Sequence, residues 1–134
     1  MLEYIKVGKL NTQILKHINI QLITNEVIVT FERLEHVEER RREVYDEVKT
    51  ILPIAVFEPD YIYKDWNNRA NTLVFIKSID ETSKICIIIK IAELNDEKHS
   101  KNSIITMIKI GKKTFKKIYK NKSSNLLYEK TRQT

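Results

Sequence analysis

The chain has 134 residues, 42% hydrophobic and 31% charged, with a formal net charge of +6, a composition that suits one globular domain with a core of its own. A single cysteine excludes a disulfide scaffold, two glycines leave no glycine-rich phosphate loop of the P-loop or Rossmann kind, and no apolar run approaches the roughly 20 residues that cross a bilayer. One soluble cytoplasmic domain over residues 1–134, without membrane association, is therefore expected. Its basic character belongs to the second half: residues 1–60 carry 8 Lys and Arg against 11 Asp and Glu, residues 61–134 carry 16 against 7, which points to a polyanionic partner.

Glu3–Leu10 alternates as a short strand, and Asn11–Asn19 reads as a short helix carrying Ile14, Leu15 and Ile18. His17 falls on its surface. After the turn at Asn25, the apolar stretch Glu26–Val29 leads into TFERLEHVEERRR, where the Thr30 hydroxyl can accept from the first turn of a helix that begins at Phe31. Phe31, Leu34 and Val37 give that helix an apolar side, with His36 and Arg40 stacked on its flank and Arg33 beside them. An unbroken helix to Leu52 would drive Arg41 into the apolar arc, so a break near 41–43 is expected, with a second helix stopped by Pro53.

From Pro59 the period becomes that of strands: Asp60–Lys64, Asn71–Ile79, Lys84–Ala92 and Asn102–Ile110, joined by turns at 65–70 and 80–83 and by a polar loop at 95–101. Short links between consecutive strands imply an antiparallel meander. Lys77, Lys90, Thr106 and Lys109 interrupt these strands with polar groups whose facing depends on register. A short basic helix follows Gly111, with Phe115, Ile118 and Tyr119 inward and Lys112, Lys113, Lys116, Lys117, Lys120 and Lys122 around the rest. It could grip a phosphate backbone or be a solvated face. Leu126–Lys130 makes a last strand before a frayed tail at 131–134. The expected architecture is α+β: N-terminal helices packed on a roughly four-stranded antiparallel meander, with the basic helix before the closing strand.

Some chemistry is excluded. There is no HExxH or CxxC, and the three histidines lack metal-ligand spacing, so neither a metal site nor a cofactor is expected. Cys86, inside KICIIIKI, reads as a core residue. No nucleophile elbow is visible. An enzyme of this composition would be expected to use metal-free acid–base chemistry on a polyanion. Cations close to His36 would favour its neutral, proton-accepting form, although the same arginines could equally form a solvated face bridged to Glu32, Glu35, Glu38 and Glu39.

The ordered set EVIVTFERLEHVEERR, PDYIYKDW, NTLVFIKSI, the strand ending IIKIA, KNSIITMIKI and LLYEK resembles the phage-associated nuclease family grouped with barnase, EndoU, colicin tRNases and RelE, over about residues 25–130. The resemblance implies a metal-independent ribonuclease, a phage or mobile-element toxin acting on tRNA or other cellular RNA, with a possible immunity or antitoxin partner. By that resemblance His36, Arg40, Thr106 and Tyr128 would be catalytic. Arg33, Arg41, Lys77, Lys90, Asn102, Ser103, Lys130, Lys113, Lys116 and Lys117 would hold nucleic acid. Where the family often has histidine and proline after the arginine, this chain has Arg41 and Arg42. The alternative from the charge pattern is a non-catalytic nucleic-acid-binding module.

Overall fold

The structure, a computed structural model, describes residues 3–36, 39–97 and 100–130, without the side chains of residues 36 and 39–42. In chain order the elements are β1 (Tyr4–Lys9), α1 (Thr12–His17), β2 (Glu26–Thr30), α2 (Phe31–His36), α3 (Glu39–Val48), α4 (Leu52–Phe57), β3 (Tyr61–Lys64), β4 (Thr72–Ser78), β5 (Ser83–Lys90), β6 (Asn102–Gly111), α5 (Lys112–Asn121) and β7 (Leu126–Glu129).

The strands form one sheet in the order β1-β2-β6-β5-β4-β3-β7. Its pairs are antiparallel except β2 with β6, which run parallel through Val27 opposite Asn102 and Ile28 opposite Ser103. The expected four-stranded antiparallel meander with N-terminal helices is thus overturned: among the described residues the sheet has seven strands, is mixed, and carries only five short helices. β3 to β6 do pair consecutively, but β2 closes one flank and β7 the other. The reason lies in β2, where Val27, Ile28 and Val29 are all buried, as suits a strand covered on both faces. Without β2, the start of β6 would present unpaired backbone groups as an open edge.

Local chemistry accounts for several boundaries. The Arg33 N–H donates to the Thr30 hydroxyl at 3.0 Å, so Thr30 caps α2. Residues 41–43 lie inside α3 rather than at a break, and Val37 and Glu38, between α2 and α3, are outside the described residues. Pro53 does not simply end a helix. It occupies the first turn of α4, where its missing N–H removes no intrahelical bond. α4 packs on β1 at Gly8, where a Cβ would come within 3.0 Å of Pro53 Cα and 3.3 Å of Val56 Cγ2. Phe31, expected on the apolar side of its helix, is exposed, while Leu34 is buried.

Two cores separate at the sheet. On one face Leu15 of α1, Leu34 of α2, Val48 of α3 and Leu52, Ala55 and Val56 of α4 pack against Phe75, Ile85, Ile87 and Met107. On the other, Tyr63, Val74, Ile76, Cys86 and Ile88 are covered by Phe115 and Ile118 of α5. Burial pushes the Cys86 thiol up to about 12, which leaves it an inert core group. Among the described residues no helix is long and apolar enough to cross a membrane.

Candidate functional site

α5 covers the second face only near the Ser83–Gly111 end of the sheet, where Ser83 is opposite Gly111 and Lys84 opposite Ile110. At the other end lies an open groove of about 860 Å³ lined by Thr30, Glu32, Arg33, Arg69, Thr72, Lys90 and Ser103, with Ala70, Ile104 and Ile105. Register builds its floor. Thr72 is opposite Lys90 and Lys90 opposite Ser103, so three polar side chains form one row across β4, β5 and β6 on the face that α5 leaves bare. The Ile88–Ile89 irregularity lets Ile105 bulge from β6, and Thr106, opposite Ile88, shares this face.

Two arginines flank the row. Arg33, in the first turn of α2, stands on the β6 side. Arg69 comes from the β3–β4 connection and is held there by Asp65, a fully buried carboxylate. The Arg69 Nε donates to Asp65 Oδ2 at 2.7 Å and Nη2 to Oδ1 at 3.3 Å, while the backbone N–H groups of Arg69 and Asn67 donate to the same carboxylate at 3.1 and 3.3 Å. The Arg69 side-chain hydrogen bonds hold the Asp65 carboxyl below the usual carboxylate range, against the opposing effect of burial. Arg69 is therefore fixed at the groove wall with part of its charge still facing solvent. Arg33 and Arg69 thus come from two separate elements to flank Lys90 of β5, with the Ser103 hydroxyl beside it and Glu32 also lining the groove. Such an arrangement can bind an anion with bidentate and point-charge donors and offer a proton acceptor beside it.

The structure brings some of the sequence-expected residues together and disperses others. Arg33, Lys90 and Ser103 share the groove, and Thr106 lines an adjoining recess that Arg33 also lines. Tyr128 does not join them. It is opposite Ile62 on the helix-covered face and packs against that core, four strand spacings or roughly 19 Å from β6. No single phosphodiester bridges Thr106 and Tyr128.

Asn102 is not a ligand-facing group either. It is fully buried, its Oδ1 accepts from Ala92 N–H at 2.8 Å, and its Nδ2 donates to the carbonyls of Thr24 at 2.7 Å and Glu26 at 2.8 Å. It clamps the ends of β5 and β2 to β6. Lys77 donates to the Glu58 carbonyl at 2.7 Å and pairs with Asp60 at 3.4 Å, at the opposite end of β4 from the groove. Lys130 follows β7 at the far edge, its N–H donating to the Asp60 carbonyl. Lys113, Lys116 and Lys117 are exposed on α5. His36, Arg40 and Arg41 have helical backbones, and their side chains lie outside the described residues.

Sequence reasoning missed Arg69, Glu32, Thr30 and Thr72 as groove residues. The acid-to-arginine spacing of Asp65 and Arg69 within one turn was the available signal for the first; the others depend on register. Comparison with protein families, curated proteins and solved structures finds no match for this chain.

Proposed function

We propose that this protein is a metal-independent endoribonuclease of the cytoplasm that cleaves RNA by attack of a 2′-OH on the adjacent phosphorus. The observation that carries the reading is the convergence of Arg33, Arg69 and Lys90 on the Thr72–Lys90–Ser103 row of an open sheet face. In this reading the two guanidinium groups and the Lys90 ammonium hold the phosphoryl oxygens and stabilise the charge that grows there in the transition state. Glu32 and His36, four residues apart in α2, act as the acid–base pair, one taking the 2′-OH proton and the other returning a proton to the departing 5′ oxygen. Ser103 orients the phosphate. The sequence resemblance agrees with this chemistry and with a toxin acting on tRNA or other cellular RNA.

Purified protein incubated with total RNA in chelator should release fragments that end in cyclic phosphate. Glu32→Gln and His36→Ala should each slow release by about 10²-fold or more while the melting temperature stays put. Undegraded RNA, or variants as fast as the parent, would refute the assignment. A second reading, a non-catalytic RNA-binding module, draws on the lysines exposed along α5. It predicts binding that weakens steeply with salt and no cleavage.

A further inference from the structure

A run of aromatic rings lies on the same face of the sheet as the groove. Tyr63 is opposite Val74 and Val74 opposite Ile88, so these three make the row next to Thr72 and Lys90, roughly 7 Å along the strands. Trp66 packs on Tyr63 with ring centroids 6.0 Å apart and planes at 69°. The run continues from Tyr63 to Tyr61 at 6.4 Å and from Tyr61 to Tyr119 of α5 at 5.9 Å. Tyr63 is fully buried and belongs to the core, but the two ends of the run are not: Tyr119 is exposed, and Trp66 is half-buried beside the groove.

The turn that fixes Arg69 also fixes Trp66. Asp65 N–H donates to the Thr72 carbonyl at 3.2 Å, Asn68 N–H donates to the Asp65 carbonyl at 3.0 Å, and the Asp65 carboxylate accepts from the N–H groups of Asn67 and Arg69. The backbone at Trp66 is thereby pinned level with the Thr72 end of the groove floor, while the indole packs against the cluster that holds Tyr63, Val74 and Ile88. In a T-shaped contact the edge of one ring meets the face of the other, so Tyr63 leaves at least one indole face uncovered. Cations stand at both ends of this strip: Arg33, Arg69 and Lys90 at the groove, and Lys113, Lys116 and Lys117 on α5.

We infer that the strip binds a single strand of RNA, with the base next to the phosphate in the groove stacked on Trp66 and the strand running on toward α5. The inference rests on the proposed binding of an RNA phosphodiester in the groove. Positive charge at both ends of the strip complements a backbone that crosses it, and a rigidly mounted indole with a free face suits an unpaired base. A duplex keeps its bases stacked on one another and offers the indole none.

Trp66 is the only tryptophan of the chain, so intrinsic emission reports on this indole directly. The probe is a short 2′-O-methyl RNA, which lacks the attacking hydroxyl, used intact, with abasic sites, and annealed to its complement. The intact strand should quench Trp66 and bind about tenfold tighter than the abasic strand, within the range that stacking on one aromatic side chain contributes. The abasic strand and the duplex should bind without quenching. By anisotropy of a labelled strand, Trp66→Leu should lose that tenfold gain and keep the affinity for the abasic strand, while Trp66→Phe, which retains a ring, should recover most of it. An intact strand that binds without quenching, an abasic strand that binds and quenches equally, or Trp66→Leu at parental affinity would overturn the inference and leave the phosphate site standing. Should neither the intact nor the abasic strand bind, both readings would fall.

Discussion

At the scale of single residues, Asp65 does two jobs: it closes the β3–β4 turn and fixes Arg69 at the groove. Asp65→Asn keeps the shape but removes the charge from four hydrogen bonds. With Arg69 partly in solvent, a loss of about 1–2 kcal/mol in denaturant stability is expected, together with weaker RNA binding. The pH dependence follows from the same pair. The Arg69 hydrogen bonds hold the folded-state carboxyl below its unfolded value of about 4, so the contribution of Asp65 is complete above that pH. It is lost as the pH falls through the lower, folded-state value. Asp80, held down to about 2 chiefly by the Thr82 N–H, titrates in the same direction, so the acid-limb difference between parent and Asp65→Asn isolates Asp65. Tyr63 is the converse case. Among the described residues its buried hydroxyl has no hydrogen-bond partner, and burial pushes its pKa up to about 12, so Tyr63→Phe should leave thermal stability unchanged or raise it by about 1 kcal/mol. A fall of 2 kcal/mol or more would show that the hydroxyl is satisfied after all. Asn102 shows where residue reading stops. An asparagine before SIIT looks available to a ligand, but its amide meets carbonyls 76 and 78 positions away in the chain, which no local pattern reveals.

Elements with their own periodicity were legible: β3 to β6, the Thr30 cap, and α5 with Phe115 and Ile118 inward, although Tyr119, expected beside them, is exposed. Those whose role is set by a distant partner were not. Glu26–Val29 is a short apolar run in sequence, and only its parallel pairing with β6 makes it an inner strand of the sheet. α4 is only six residues long and begins beside a proline, and it exists because its buried face meets β1 at Gly8. α5 sits at one end of the open face and the groove at the other, about 20 Å along β5 from Lys84 to Lys90. Its lysines are therefore expected to hold RNA rather than to touch the reacting phosphate. Replacing Lys113, Lys116 and Lys117 with Gln should weaken RNA binding and reduce the slope of log affinity against log salt by up to about 2, with the single-turnover cleavage rate at saturation unchanged. A cleavage rate that drops with them would place α5 at the chemistry instead.

For the molecule as a whole, one asymmetry governs the account. Among the described residues four helices cover one face of the sheet, a single helix covers part of the other, and the bare remainder is where cations from α2, β5 and the β3–β4 connection meet. The charge imbalance between the two halves of the sequence places the excess of Lys and Arg in the second half, but the groove draws its cations from both halves, through Arg33 as well as Arg69 and Lys90. The most direct test is single-turnover RNA cleavage in chelator by the parent and by Lys90→Met, a change at an exposed position that keeps the apolar stem and removes the ammonium. The parent is expected to cleave, and the variant, equally stable, to be slower by about 10²-fold. A variant that cleaves at the parental rate, or a parent that does not cleave at all, would contradict this expectation.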